Sequence, residues 1–299
     1  MTETANASRL RPAQLSRYLS CIRWDEVFIL QGAPLLGAIF SLGALTTANL
    51  LTLAIFAVAS CCLVAHIYAL NDRSGIHGDL RDPNRASRTF PTKGVSRSEF
   101  GVLVAVLLAV SLLLFALLGR TPLLLAIGIA TAGALYSAPI FPMKGHPVFS
   151  SLLHFVGATL QFLLGYATFA ALDARSIGIG SFFGLVFAAG HCTHEARDCE
   201  ADLANGIRTK AVAFGKTQSF LAGLALFTAA YGLLVALALL GIVPRLLIWA
   251  AALCPVHLYA SFRAMRAGLT YDSLRHLQRY YRTLYAVIGS AMVASVWLH

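Results

Sequence analysis

The chain has 299 residues, of which 58% are hydrophobic and only 12% are charged, and its formal net charge is +10. Soluble domains carry about 25% charged residues, so this composition excludes an ordinary soluble domain. The chain also contains many apolar runs of about 20 residues, the length that crosses the hydrocarbon layer of a bilayer. These features predict an integral membrane protein, and no motif for binding nucleic acid is present.

Taken in chain order, the apolar runs predict nine transmembrane helices and hence an all-α, polytopic membrane bundle. Residues 1–23 are polar and form a predicted cytoplasmic N-terminal segment without a cleavable signal pattern. Residues 24–299 form a single predicted transmembrane domain. The predicted spans are 26–45, 48–70, 99–118, 121–138, 148–171, 177–194, 218–241, 245–265 and 280–298.

The distribution of Lys and Arg predicts the orientation of the bundle. With a cytoplasmic N-terminus, 20 of the 23 Lys and Arg residues fall in the N-terminal segment and in the loops after even-numbered spans. Only Arg120, Arg175 and Arg245 fall on the opposite side. Because basic residues concentrate on the cytoplasmic side of membrane proteins, we expect a cytoplasmic N-terminus. The positive net charge then reflects mainly topology.

Seven of the 13 acidic residues fall in two short segments, each at the cytoplasmic end of an even-numbered span. The first acidic segment contains Asp72, Asp79 and Asp82, and the second contains Glu195, Asp198, Glu200 and Asp202. The topology therefore predicts that both segments lie at one membrane face. Carboxylates at the mouth of a membrane bundle are costly unless they are paired, hydrated or bound to metal.

The spacing of these acids favours a shared cation. Asp72 and Asp79 lie about two helical turns apart, so they share a face if the helix continues between them. Glu195, Asp198 and Asp202 follow an i, i+3, i+7 pattern, which is also one helical face. Hard oxygen ligands favour Mg²⁺, which commonly joins a few carboxylates to substrate phosphates. The alternative is that these are ordinary solvated acids paired with neighbouring Arg and Lys.

Basic residues surround the acids, and a diphosphate needs Mg²⁺ together with Lys and Arg for binding and for departure as a leaving group. The same basic residues would occur here through the cytoplasmic charge bias alone. The candidates are Arg88, Lys93, Lys144, Arg208 and Lys210.

Four stretches, in this order, resemble motifs of the UbiA superfamily of intramembrane prenyltransferases. Asn71–Asp79 is similar to its first motif, an Asn-Asp pair followed by further aspartates, and Asn84-Arg85 and Arg88–Gly94 resemble its Arg-Pro-x-Pro-x-Gly loop. Leu135–Pro139 with Lys144 resembles its Tyr-Ser-x-Pro stretch and lysine. Asp198–Thr209 matches its second motif, Asp-x-x-x-Asp followed by Gly and then Arg-Thr. The likeness runs from about residue 20 to the C-terminus.

The chain departs from the family pattern at three positions. Gly75 stands where the family has the middle aspartate of the first motif, so one expected carboxylate is missing. His194 stands where many members have a lysine, and Phe90 lies near a common proline. The missing carboxylate leaves open whether Asp72 and Asp79 suffice, whether Asp82 or Glu195 replaces the lost ligand, or whether metal is held less tightly.

The resemblance implies Mg²⁺-dependent transfer of a prenyl group from a prenyl diphosphate to a small acceptor, aromatic or quinone-like, at the membrane. Asp72 and Asp198 are then the leading catalytic residues, Asn71 orients a carboxylate or the diphosphate, and Tyr136 orients the acceptor or shields the cation. An interfacial belt tyrosine is the alternative for Tyr136. The implied metal ligands are Asp72, Asp79, Asp198, Asp202 and Glu195. The implied substrate-binding residues are Arg88, Lys93, Lys144, Arg208, Lys210 and Arg23, which precedes the first span.

Two other functions are compatible with the same sequence. A terpene cyclase built on this bundle would capture the cation within its own chain, without an acceptor. A membrane transporter or scaffold would use the acids for ions and would release no diphosphate. The loop motifs and the Arg208-Thr209 pair argue against a transporter, which has no need for them.

Overall fold

A computed structural model of the protein describes residues 12–83, 85–137 and 143–297. Within these ranges all regular structure is helical and no strand occurs. Residues 1–11 of the predicted N-terminal segment lie outside the described part, as do Asn84, Ala138 and Pro139 of the motif stretches.

The helices follow the predicted order. They are α1 (Pro12–Ser20), α2 (Trp24–Ile29), α3 (Gly32–Ser41), α4 (Thr47–Asp79), α5 (Arg97–Leu118), α6 (Arg120–Ser137), α7 (Pro147–Ala167), α8 (Ala174–Arg197), α9 (Cys199–Ala204), α10 (Lys210–Phe214), α11 (Lys216–Leu239), α12 (Leu253–Arg266) and α13 (Tyr271–Trp297). Short 3₁₀ helices occupy Ala86–Arg88, Pro91–Lys93, Met143–Gly145 and Arg245–Ala252.

Each predicted span falls on helical structure, and the prediction of an all-α membrane bundle is confirmed. Within the described ranges, six helical segments are long and apolar enough to cross a membrane: α4, α5, α7, α8, α11 and Arg245–Arg266. The first predicted span is divided between the short helices α2 and α3, and α6 and α13 contain the fourth and ninth. The count of nine spans therefore remains a prediction.

Local sequence signals explain where several helices begin. The Thr46 hydroxyl accepts a hydrogen bond from the Asn49 amide at the start of α4. Ser96 with Glu99, and Asp173 with Ser176, form reciprocal capping pairs at the starts of α5 and α8. Such side chains satisfy amide groups that a helix leaves unpaired in its first turn.

Helices α3 and α7 approach so closely that glycine is required on both. A Cβ atom on Gly165 would lie 1.8 Å from the Pro34 carbonyl oxygen, and one on Gly37 would lie 2.0 Å from that of Phe162. Small residues let membrane helices gain van der Waals contact that lipid-facing side chains cannot provide. This contact ties α3 to the middle of the bundle.

The two acidic segments differ in backbone structure. Helix α4 continues beyond the predicted end of its span, so Asp72 and Asp79 lie on one unbroken helix, as their spacing predicted. Helix α8 instead ends at Arg197, and α9 begins after Asp198. The expectation that Glu195, Asp198 and Asp202 form one continuous helical face was therefore wrong, because the helix breaks at Asp198.

Candidate functional site

The two acidic segments meet through a single arginine. The Arg85 Nη1 atom donates to Asp79 Oδ1 at 3.2 Å, and its Nε atom lies 3.3 Å from Asp82 Oδ2. Its Nη2 atom donates to Asp198 Oδ2. One guanidinium thus contacts three carboxylates from two parts of the chain that lie more than a hundred residues apart. Sequence reasoning noted Arg85 beside the first motif but did not select it as a site residue.

A cavity of about 250 Å³ opens beside this junction. The last turns of α4 form one wall with Gly75 and Asp79, and α9 forms another with Asp202. Lys144, in the short 3₁₀ helix after α6, closes a further side, and Arg85 also reaches the cavity. The cavity therefore combines carboxylates from both acidic segments with a lysine and an arginine.

Burial and neighbouring charge give these acids different pKa values. Burial raises the pKa of Asp202 to about 6, with the charge of Asp198 adding to the rise and that of Lys144 opposing it. Burial acts in the same direction on Asp198, but Arg197 and Arg85 outweigh it and hold the pKa of Asp198 below its ordinary value. The three carboxylates around Arg85 in turn raise the pKa of its guanidinium, against the effect of burial.

Arg197 is a second arginine that the sequence did not single out. Its Nε and Nη2 atoms donate to the two carboxylate oxygens of Asp198 at 2.7 and 2.9 Å. Its Nη1 atom donates to Gln278 Oε1 on α13 at 2.5 Å. Asp198 is consequently held from one side by Arg197 and from the other by Arg85. A bidentate arginine contact of this kind fixes a carboxylate in both position and orientation.

Asp72 lies about two helical turns before Asp79 on α4. It is paired with the predicted substrate-binding residue Arg23. The Arg23 Nε atom donates to Asp72 Oδ2 at 2.9 Å, and Nη2 donates to the other oxygen. The Arg23 guanidinium carbon lies 5.9 Å from the centre of the Tyr68 ring. Nearby, Glu26 on α2 pairs with Arg282 on α13 at 2.8 Å. Asn71 is half-buried and precedes Asp72 on the same helix.

Glu195 is committed to a separate buried network. Its Oε1 atom accepts a hydrogen bond from the Ser150 hydroxyl at 3.0 Å and lies 2.9 Å from His191 Nε2. Its Oε2 atom accepts the Lys210 backbone amide at 3.2 Å and lies 3.3 Å from the Lys210 ammonium. That ammonium also donates to the Ser151 hydroxyl. Both oxygens of Glu195, and the side chain of Lys210, are therefore already engaged.

Tyr136 lies against this network. Its ring centre is 4.9 Å from that of His154 and 6.1 Å from that of His191, with nearly perpendicular ring planes. The two histidine rings stack at 3.6 Å. The structure thus joins Tyr136 to Glu195 through His191. The role of Tyr136 at the site remains a prediction.

The remaining predicted cations occupy different environments. Lys144 lines the cavity beside Asp202. The Lys93 ammonium donates to the Ser20 carbonyl at the end of α1. Arg88 and Arg208 are exposed, and each follows one of the two acidic segments in sequence.

The donor set fits a hard divalent cation by its chemistry, since Asp79, Asp198 and Asp202 offer only carboxylate oxygens near one cavity. In the part of the chain that the structure describes, however, no three acidic, His or Cys side chains are grouped tightly enough to hold a metal ion. The guanidinium of Arg85 lies between Asp79 and Asp198 instead.

Position 75, where the family pattern has an aspartate, has room for a side chain. A Cβ atom on Gly75 would come no closer than 3.8 Å to its nearest neighbouring atom, Asp79 Oδ2. Gly75 also lines the cavity. The glycine is therefore not required by packing at this point of α4.

Comparison with known proteins identifies the family and the fold of the chain. Residues 32–275 match the model of the UbiA prenyltransferase family. A solved UbiA homolog from Archaeoglobus fulgidus bound to GPP and Mg²⁺ is 19% identical with a TM-score of 0.75, and the alignment covers 94% of this chain and 98% of that one. An apo UbiA homolog from Aeropyrum pernix K1 is 18% identical with a TM-score of 0.71, covering 91% and 98%.

A structure described as digeranylgeranylglyceryl phosphate synthase in membranes is similar to the same extent, with 18% identity, a TM-score of 0.70 and coverage of 94% and 98%. No curated protein sequence matches the chain. At these identities the solved structures establish the fold, whereas the family model covers most of the sequence. The chain is an integral membrane protein and belongs to the UbiA prenyltransferase family.

Proposed function

We propose that the protein transfers a prenyl group from a prenyl diphosphate to a small hydrophobic acceptor, aromatic or quinone-like, with Mg²⁺ as cofactor. The observation that carries the proposal is the meeting of the two acidic segments at one cavity, through Arg85. Family membership and the GPP and Mg²⁺ bound by a homolog of the same fold support it.

The four aspartates Asp72, Asp79, Asp198 and Asp202 are the proposed ligands of Mg²⁺. Bound there, Mg²⁺ would neutralise the diphosphate and stabilise it as a leaving group. Glu195 is less suited to this task than the sequence indicated, since its side chain is only 4% exposed, against 16% for Asp72 and 14% for Asp198. We assign it the role of positioning Lys210 and His191 at the edge of the site.

The basic residues around the cavity have the charge needed to hold the departing diphosphate. Lys144 lines the cavity together with Asp202. Arg88 and Lys93 lie in the segment between α4 and α5, and Arg208 lies between α9 and α10. Such groups are most effective where negative charge develops on the leaving oxygens as the carbon–oxygen bond lengthens. An acceptor carbon or oxygen then captures the allylic cation and loses a proton.

Side chains deeper in the bundle are proposed to receive the acceptor. Asn71 and Arg23 lie beside Asp72, and Tyr136 lies beside His191 and His154. A tyrosine ring face can stabilise a nearby cation. The apolar helices supply the surroundings for the prenyl tail.

We further propose that the site opens to the cytoplasm. The helix ends and loops that form the cavity belong to the segments rich in Lys and Arg, and such segments remain on the cytoplasmic side.

The experiment that tests the function uses the purified protein in detergent with Mg²⁺, C10 to C20 prenyl diphosphates and a panel of phenolic acceptors. We expect a prenylated acceptor, and loss of at least about 100-fold in rate for Asp202→Asn. Glu200→Gln is the matched control, because Glu200 lies on the same short helix but its side chain is 74% exposed and, among the described residues, forms an ion pair with Lys216 alone.

Two results would overturn the proposal. A wild-type rate for Asp202→Asn would remove the site assignment. Diphosphate release that yields only a rearranged prenyl chain, whatever the acceptor, would indicate a terpene cyclase instead.

A further inference from the structure

Arg85 occupies the centre of the acidic site rather than its rim. Its three nitrogens each face a different carboxylate, those of Asp79, Asp82 and Asp198. The first two belong to the end of α4 and the turn after it, and the third to the break between α8 and α9. The planar guanidinium of arginine, with five donors in a fixed fork, suits contact with several carboxylates at once.

Arg85 lines one of two neighbouring cavities. The cavity of about 250 Å³ is lined by Arg85 with Asp79 and Asp202, while a second cavity, of about 370 Å³, is lined by Asp198 and Arg197. Asp82 lines both. The contact between Arg85 and Asp198 therefore links the first cavity to a carboxylate of the second.

The two arginines on Asp198 differ in how firmly they are held. Arg197 is fixed on its far side by Gln278 and lies 5.7 Å from the ring centre of Tyr271. Among the described residues, the Arg85 side chain pairs with carboxylates alone, and Arg85 follows a turn, directly before the short 3₁₀ helix Ala86–Arg88. Arg85 is therefore the arginine that can leave Asp198 without breaking a tie to another helix.

We propose that Arg85 is a positioning residue that holds the two acidic segments together in the metal-free protein and releases Asp79 and Asp198 when Mg²⁺ binds. The released guanidinium then faces the cavity of about 250 Å³ that Arg85 already lines, and it binds the diphosphate there. This inference rests on the proposed function, because it takes Asp79 and Asp198 as metal ligands. It assigns to Arg85 two opposing effects, competition with the metal and attraction of the substrate.

The test measures Mg²⁺ and substrate binding separately, without turnover. Thermal unfolding of the full chain in detergent is followed against Mg²⁺ concentration for wild type, Arg85→Gln and Arg85→Lys. Binding of a non-hydrolysable prenyl diphosphate analogue is then measured at saturating Mg²⁺. Arg81→Gln is the control for net charge, since Arg81 also lines the cavity but is exposed and forms no ion pair with a carboxylate among the described residues.

For Arg85→Gln we expect a lower unfolding temperature without metal, because Asp79, Asp82 and Asp198 lose their shared counter-ion. We expect its Mg²⁺ midpoint to fall by about tenfold while its affinity for the analogue weakens by about tenfold. For Arg85→Lys, the Mg²⁺ midpoint and the affinity for the analogue should lie between those of wild type and Arg85→Gln. Arg81→Gln should keep the wild-type Mg²⁺ midpoint.

The outcomes separate the inference from the proposed function. If wild type responds to Mg²⁺ and the analogue but Arg85→Gln has an unchanged or higher Mg²⁺ midpoint, the role of Arg85 is overturned and the proposed function stands. If wild type responds to neither Mg²⁺ nor the analogue, both are overturned. Equal loss of Mg²⁺ and analogue binding in Arg85→Gln would mean that Arg85 only supports the fold.

Discussion

At the scale of single residues, the sequence predicted that acids from the two segments lie close together, but it did not single out the two arginines that pair with them. Asp79 and Asp202 line the same cavity, and Lys144 stands beside them. Arg85 and Arg197, which hold Asp198, were not selected, because their contacts with Asp198 and Gln278 respectively join distant parts of the chain or depend on side-chain geometry, and the cytoplasmic charge bias makes every arginine there look alike. Only the three-dimensional arrangement distinguishes a paired arginine from a solvated one.

The glycine in the first motif offers a test of the metal site. Gly75→Asp is predicted to tighten Mg²⁺ binding, because the backbone has room for the side chain and the new carboxylate would face the cavity near Asp79. The Mg²⁺ midpoint of thermal unfolding should fall by about tenfold. Gly75→Asn, of similar size and without charge, is the control. An equal change in both variants would show that size, and not a metal ligand, is responsible.

The raised pKa of Asp202 predicts a pH dependence of metal binding. With a pKa of about 6, this carboxyl is mostly protonated at pH 5 and mostly ionised at pH 7. Mg²⁺ requires the ionised form, so its apparent affinity should rise with pH through this window and level off above pH 7. Mg²⁺ titrations of the metal-free protein between pH 5 and 8 measure this. The rise should be lost in Asp202→Asn, and its persistence there would assign the proton to another group.

At the scale of helices, the presence of a helix was easier to predict from the sequence than the residues at which it begins and ends. Every predicted span falls on helical structure because long apolar runs leave the backbone no other way to satisfy its hydrogen bonds in lipid. The interruption between α2 and α3, and the break at Asp198, were not foreseen. Pro34 in α3 gives a local reason for the first, because proline lacks an amide donor and crowds the turn before it, whereas the break at Asp198 coincides with the contacts of Asp198 with Arg85 and Arg197.

The crossing of α3 and α7 leads to a prediction on stability. Gly165→Ala should destabilise the protein by at least about 1–3 kcal/mol, because its Cβ would overlap the Pro34 carbonyl and force the helices apart. Thermal unfolding in detergent measures the effect. Gly157→Ala on the same helix is the matched control, since a Cβ there meets nothing within 4 Å. Equal stability of the two variants would contradict the close crossing.

At the scale of the whole molecule, composition and charge were sufficient to predict the class of protein and its general architecture. The predicted orientation depends on the 20 of 23 basic residues assigned to one side. What could not be predicted is how the two acidic segments pair, since they are separated by four of the long helices. Their contact is a property of the assembled bundle.

The orientation is open to a direct measurement. Single cysteines introduced at Ser87 and at Leu172, both exposed, in a background without the six native cysteines, should be labelled from opposite sides of the membrane. A membrane-impermeant maleimide applied to intact cells should reach Leu172→Cys only, because position 87 belongs to the predicted cytoplasmic side. Labelling of Ser87→Cys alone would invert the topology.

The central claim is that the two acidic segments form one site, and a double-mutant cycle tests it most directly. Asp79→Asn, Asp198→Asn and their combination are compared with wild type for Mg²⁺-dependent diphosphate release from a prenyl diphosphate. If both aspartates serve the same centre, each single change should cost at least about 100-fold and the double variant should be little slower than either single one. Losses that multiply in the double variant would show that Asp79 and Asp198 act independently, and would contradict a shared site.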